Sequence, residues 1–467
     1  MQLTDGLATI ATIKAACAPL RMESIDLQCA MLQAVSMALS DDAEEAAELV
    51  RNALIAHEGG AHPATSLLTR LGHWKARRLD AFYELSCSVC HAPADRGDAL
   101  LSILHLSMEA AVEAEQLRLM SAGRLANEAL EMSMRFFGSD FSGGRLAATV
   151  SARVLYEQGD MDAADRLIRD RLVLSGSQGG IEGALSSYVV AARIAAARGQ
   201  LPFAILLLRQ AEVLGEDRDW PRLVAASLAE RVRLHVDEGR MKEAESCTSR
   251  LARLSSKSAV ATNDYLVARD VAVSRARLAL AQGACAQVVS PLRRMASEAW
   301  KRRECRVAVE ILMLLAWALR EVGEEREAAA QAMRAIELGA TAGLYRTFVD
   351  GGEIAGQLLR WLYACRVDDV GVLGELQPYV RNLLAGLSER PERPAGARTR
   401  HRSGESLSAR ECNIVTLMSH GLSNKRIAKH LGIAPETVKS HAKHILLKLN
   451  AQTRVEAVSR ALSLGMI

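Results

Sequence analysis

The sequence predicts an all-α protein: a long array of helical hairpins followed by a compact four-helix unit. Three observations carry that expectation. Hydrophobic residues make up 49% of the 467 positions but aromatics only 4%, with ten prolines. That mixture suits helices better than the Val-, Thr- and aromatic-rich strands of a sandwich or barrel. Residues 1–385 read as amphipathic helices, apolar at i, i+3, i+4 and i+7 and broken by single glycines. Those glycines also recur: Gly159, Gly199, Gly239, Gly283 and Gly323 are 40, 40, 44 and 40 residues apart.

The spacing has a physical reason. A glycine closing the first helix of a hairpin takes a left-handed conformation at little cost. Seven residues before each glycine stands a small or β-branched residue: Ala152, Ala192, Val232, Ala276 and Ala316. Five residues after stand Ala164, Ala204, Ala244, Val288 and Ala328, so the two helices are expected to approach closely. This is the logic of a tetratricopeptide-like helical solenoid, whose usual period is about 34 residues. A period near 40 implies longer helices or longer loops between hairpins. A further instance is read at Gly123, whereas residues 1–115 look helical without a register. Such an array is expected to be an interaction surface, its concave face taking a small-molecule or protein inducer.

Near the end of the array, the segment GLYRTFVDGG places Gly343, Tyr345, Arg346, Phe348 and Asp350 ahead of Leu358 and Leu359. It resembles the end of the sensor domain in large LuxR-type activators of the maltose-activator kind.

Residues 386–406 carry Pro391, Pro394 and alternating arginines without apolar periodicity, and read as a flexible linker. Charge is distributed unevenly. Residues 396–467 hold twelve Lys and Arg against four Asp and Glu, a net +8, leaving 46 against 51 and a net −5 for residues 1–395. A basic tail on a mildly acidic body points to a polyanionic partner.

Within residues 407–467, Ser408 and Glu411 stand at capping-box spacing, and Leu407, Ile414, Val415 and Met418 form one apolar stripe ending near Gly421. Ser423 caps a short second helix whose Ile427, Ala428 and Leu431 face inward, with Gly432 as its stop. After the turn, Pro435 occupies the first position of a third helix. There Val438, Ala442, Ile445 and Leu449 form a buried stripe, and Lys439, Ser440, Lys443 and His444 lie opposite. Thr453 and Glu456 open a last helix. Two short helices joined by a tight turn make a helix-turn-helix, and a basic outer face with small side chains fits the major groove.

The stretches LSARE, GLSNKRIAKHLGI, ETVKSHAKHILLKL and RVEAVSRALSLGMI together resemble the LuxR-type (GerE-type) DNA-binding domain over all of residues 407–467. The resemblance implies that Lys439, Ser440 and Lys443 approach base edges. It also implies that Asn424, Lys425, Thr437 and His441 lie near phosphates, with Lys448 counted in the same DNA-contacting set. Ala434 departs from a family that often has a capping Ser there, at a cost of roughly 1 kcal/mol.

Other chemistry is weakly signalled. Cys87 and Cys90 with His91 match a C-x-x-C-H haem-attachment pattern, read here as ordinary helix-end thiols, with a dithiol redox sensor as the alternative. A second cysteine pair for zinc is missing, as are readable triads and nucleophile elbows, so no enzyme, metal or cofactor is expected. Large LuxR-type regulators with helical arrays usually begin with an ATPase module, yet no G-x-x-x-x-G-K-[ST] occurs. Because the chain starts with Met1, a natural short regulator is expected. The N-terminus lacks a signal-peptide pattern and nine cysteines suit a reducing compartment, which points to the cytoplasm and away from a membrane. The expectation is a transcription regulator acting as an activator, a homodimer on promoter DNA in contact with RNA polymerase. The competing expectation is a helical-repeat protein that titrates a partner and has secondary DNA affinity.

Overall fold

The computed structural model describes residues 63–85, 96–138, 144–172, 180–257, 264–388 and 407–449, apart from 76, 368, 369, 372, 420, 421 and 432, with isolated residues elsewhere. The C-x-x-C-H residues, most of the linker, Gly421, Gly432 and the Thr453–Glu456 pair lie outside the described residues.

The body is a succession of helices. Its first part comprises α1 (Pro63–Lys75), α2 (Leu79–Glu84), α3 (Arg96–Glu115), α4 (Leu119–Phe137), α5 (Arg145–Glu157) and α6 (Met161–Leu172). Then come α7 (Ile181–Ala197), α8 (Leu201–Asp217), α9 (Pro221–Asp237), α10 (Met241–Lys257), α11 (Asp264–Ala281) and α12 (Cys285–Lys301). The last full hairpin is α13 (Cys305–Glu321) and α14 (Glu325–Ala342). A short closing region holds α15 (Arg346–Val349), α16 (Gly352–Ala364), a two-residue antiparallel pairing of β1 (Arg366–Val367) with β2 (Val370–Gly371), and α17 (Gln377–Ser388). Since α17 runs to Ser388, the array reaches three residues into the span expected to be linker.

All five periodic glycines are left-handed, with φ between +67° and +95°. At each, the glycine N–H bonds back three residues and the next N–H bonds back five, as Gly323 to the Arg320 carbonyl and Glu324 to the Leu319 carbonyl. The small residues flanking them are buried, from Ala152 and Ala164 to Ala316 and Ala328 at 0% exposure. The 40-residue period comes from helix length. In the stretch from α12 to α14 each of the first two helices has 17 residues and each turn three.

One expectation fails. Gly123 lies inside α4, not at a turn. The hairpin turn between α3 and α4 is centred on Leu117, which takes φ +63° although it is not glycine. Arg77, Asp219 and Arg303 hold the same left-handed position in three other turns. An L side chain there is strained, so the turn's own hydrogen bonds must hold it.

The closing segment packs back onto the array. Tyr156 on α5 donates to Asp350 Oδ2 at 2.7 Å, Arg346 pairs with Asp350 Oδ1, and Arg233 on α9 donates to the Asp350 carbonyl at 2.9 Å. Glu157 accepts from the Thr347 N–H and hydroxyl at 3.1 and 2.8 Å, while the Tyr345 N–H reaches the Glu157 carbonyl. Phe348, 1% exposed, fills the space over Gly339, where a Cβ would collide with its ring and with the Tyr379 hydroxyl. Among the described residues no helix is long and apolar enough to cross a membrane.

Candidate nucleic-acid interface

The C-terminal domain is built from α18 (Ala409–Ser419), α19 (Asn424–Leu431) and α20 (Pro435–Lys448), with Arg454, Ala457, Val458 and Ala461 described in helical conformation beyond them. The capping box forms as its spacing requires. The Glu411 N–H donates to Ser408 Oγ at 3.2 Å, and the Ser408 N–H donates to Glu411 Oε2 at 2.7 Å. These bonds satisfy amides at the helix start that lack intrahelical partners. Ser423 caps α19 more loosely, through the Arg426 N–H at 3.4 Å. At α20 the Ala434 side chain offers no acceptor; its carbonyl alone takes the Thr437 and Val438 N–H groups.

The three helices share one core. Leu407, Ile414, Val415, Met418, Ile427, Ala428, Val438, Ile445 and Leu449 are buried, Ala457 and Ala461 close it from the C-terminal side, and Leu431 and Ala442 pack against it. Burying Val438, Ala442, Ile445 and Leu449 fixes the rotation of α20. Positions offset from that stripe must then face outward.

They do. Thr437, Lys439, Ser440, Lys443 and His444 are exposed and His441 is half-buried. Lys439 has Glu436 one turn away at 3.8 Å, both side chains mostly in water, an arrangement worth little. Lys443 makes no ion pair or hydrogen bond with any described residue, and neither does Lys425, exposed in the first turn of α19. Asn424, half-buried at the start of α19, accepts from Arg454 at 3.2 Å through Oδ1, which leaves its amide N–H₂ for an outside acceptor. Arg454 also donates to the Leu422 carbonyl, and burial pushes its pKa down.

Lys448 is placed differently from the other lysines. Its ammonium sits 2.7 Å from Glu411 Oε2 and ties the end of α20 to the start of α18. Burial raises the Glu411 pKa, but the Lys448 ammonium and the two Ser408 donors outweigh it, and the net shift is downward. Sequence reasoning missed this pair because its members lie 37 residues apart. The only advance signal was that both are charged residues at the inner ends of helices that share a core.

Comparison with known proteins agrees with this geometry. A family model described as the MalT-like TPR region matches residues 27–364, and one described as bacterial regulatory proteins, luxR family, matches residues 405–461. The nitrate/nitrite response regulator NarL of Escherichia coli is 44% identical over 63 residues, 14% of this chain and 29% of that protein. The transcriptional regulatory protein DegU of Brevibacillus brevis is 39% identical over 61 residues, covering 13% of this chain and 26% of its own. The HTH-type transcriptional activator RamA of Corynebacterium glutamicum is 41% identical over 61 residues, 13% of this chain and 22% of that one. The chain thus spans under a third of the length of these curated relatives.

Proposed function

Because the chain belongs to the MalT-like TPR family and carries a luxR-family regulatory domain at its C-terminal end, we propose that it is a transcription regulator. In this reading the helical array senses a ligand or protein inducer and the C-terminal domain binds promoter DNA. The observation that carries the reading is the outer face of α20. Exposed Lys443, free of any ion pair among the described residues, stands one turn from Lys439, with Ser440 and Thr437 beside them. Short and basic side chains on a helix held by its neighbours can enter the major groove, where a Lys or Arg finds the acceptor edge of guanine.

Lys425, Asn424, Thr437 and His441 take the phosphates on either side. Lys448 serves the domain's own packing first, and any phosphate contact it makes competes with Glu411. The protein binds as a homodimer on a two-fold site, acts in the cytoplasm, contacts RNA polymerase as an activator, and catalyses no reaction. RamA, named an activator, supports that sign of regulation.

Mapping the chromosomal sites occupied by the full chain and by Lys443→Ala tests the proposal. The reading expects discrete sites upstream of genes that the variant loses. Uniform, unenriched occupancy by both proteins would exclude it.

A further inference from the structure

Two turns of the array carry the same short sequence. Trp74-Lys75-Ala76-Arg77 ends α1, and Trp300-Lys301-Arg302-Arg303 ends α12. In both, the arginine takes the left-handed position that the repeat elsewhere gives to glycine, at φ +57° for Arg77 and +55° for Arg303. The two turns meet in space. Arg303 pairs with Asp80 at 2.6 Å, Arg77 lies 3.6 Å from Glu304, and a third strained turn joins them as Gln116 donates to the Arg303 carbonyl. Between them lies a pocket of about 300 Å³.

Its walls are cationic. Arg77, Arg78, Lys301, Arg302 and Arg303 line it, against one carboxylate, Asp80. Arg302 is engaged by Glu298 at 2.7 Å and stacks 3.9 Å from the centre of the Tyr265 ring. Lys301 is exposed and makes no ion pair or hydrogen bond with any described residue.

Arg77 also pairs with Glu115 on its buried side, yet several donors in the helices around these turns lack partners. Arg77 Nε and Arg153 Nη2 are buried without a hydrogen-bond partner, as are the indole N–H groups of Trp74 and Trp300. Burial depresses the Arg153 pKa, and the adjacent Arg306 cation adds to this; Glu115 and Glu157 act in the opposite sense, and Arg77 again lowers it. Buried donors left unsatisfied are costly, and nearby like charges cost more, unless an acceptor of opposite charge arrives.

We propose that this pocket binds a small acidic molecule through its phosphate or carboxylate oxygens, with Lys301, Arg303 and Arg77 as the principal contacts. The volume suits a small metabolite. Planar guanidinium forks suit both oxyanions, and Lys301 supplies a mobile point charge. Strain at Arg77 and Arg303 is the cost of placing cations where glycine is easier for the backbone. The proposal rests on reading the array as a sensor and gives that sensor's ligand a chemical class.

The test uses the full chain with inorganic pyrophosphate and citrate as probes, at ionic strength matched with sodium chloride. All five tryptophans lie in residues 1–389, so their emission reports the array and not the basic tail. Saturable binding by either probe in the millimolar range or below is expected, together with a rise in the unfolding temperature. A response to pyrophosphate alone assigns a phosphate ligand, and a response to citrate alone a carboxylate one.

The double variant Lys301→Glu, Arg303→Gly should lose at least about tenfold in affinity, the scale of one charge-assisted contact. Its unliganded unfolding temperature should match or exceed the wild type, because glycine relieves the strain at position 303. No saturable binding in the wild type, or undiminished binding in the variant, overturns the proposal. DNA titration of the same variant keeps the two readings apart. Intact DNA binding with no anion binding removes this site and leaves the regulator reading standing.

Discussion

Asp350 lies about two hundred residues from one of its partners, and removing its carboxylate gives the sharpest stability prediction for the array. It is 5% exposed, and its two oxygens are taken by Arg346 and the Tyr156 hydroxyl. Asp350→Ala leaves the Arg346 guanidinium, whose side chain is 7% exposed, without its carboxylate counter-ion, and takes away the charged acceptor of the Tyr156 hydroxyl. Breaking a buried pair from one side costs about 3–5 kcal/mol. Tyr156→Phe removes the hydrogen bond to that charged acceptor but leaves the ion pair, at a cost of about 1.5–3 kcal/mol. The double variant should lose less than the sum by about 1 kcal/mol or more, because the phenol has no carboxylate left to meet. Urea unfolding followed by tryptophan emission reads the array alone, since no tryptophan lies beyond Trp361. If Asp350→Ala costs under about 1 kcal/mol, or the two changes add, the closing segment is not anchored as described.

Further expectations follow for the C-terminal domain and the cysteine pair. The Glu411 carboxyl, held below its ordinary pKa, contributes stability above the unfolded value near 4.3 and loses it as pH falls through the lower folded value. Amide-exchange protection of α18 should therefore fall on acidification in the wild type. In Glu411→Gln it should start about 1 kcal/mol lower at neutral pH and lack that fall. Ala434→Ser supplies the missing cap and should raise protection in the first turn of α20 by about 1 kcal/mol, an unchanged value counting against the capping argument. Replacing Cys87 and Cys90 with Ser should leave DNA affinity equal under reducing and oxidising conditions; a redox response lost in the variant would instead establish a sensor.

How much of this was readable in advance depends on how local the cause is. The hairpins from α5 to α14 were legible because glycine marks the left-handed turn and small residues flank it at fixed offsets. The same turn at Leu117 and Arg77 was not, since neither residue type signals φ above zero, whereas Gly123, which does, lies inside a helix. Once Leu117 and Arg77 are counted, the forty-residue spacing extends back to α1. The stripe on α20 was legible from a 3.6-residue period alone, and with it the exposure of Lys439 and Lys443. The Glu411–Lys448 pair and the Asp350 cluster were not, because their partners meet only after the helices pack. The paired Trp-Lys-x-Arg turns were visible as a repeated string, but their 226-residue separation gave no hint that they form one pocket.

The central claim, that α20 reads DNA while α19 holds its backbone, is tested most directly by titrating wild type, Lys443→Ala and Lys425→Ala against a mapped site and a scrambled duplex at several salt concentrations. Lys443→Ala should cost about 1–3 kcal/mol on the specific site and much less on the scrambled one. Lys425→Ala should weaken both duplexes alike and reduce the slope of log affinity against log salt by about one. Equal losses for both variants on both duplexes would contradict the placement of α20 in the major groove.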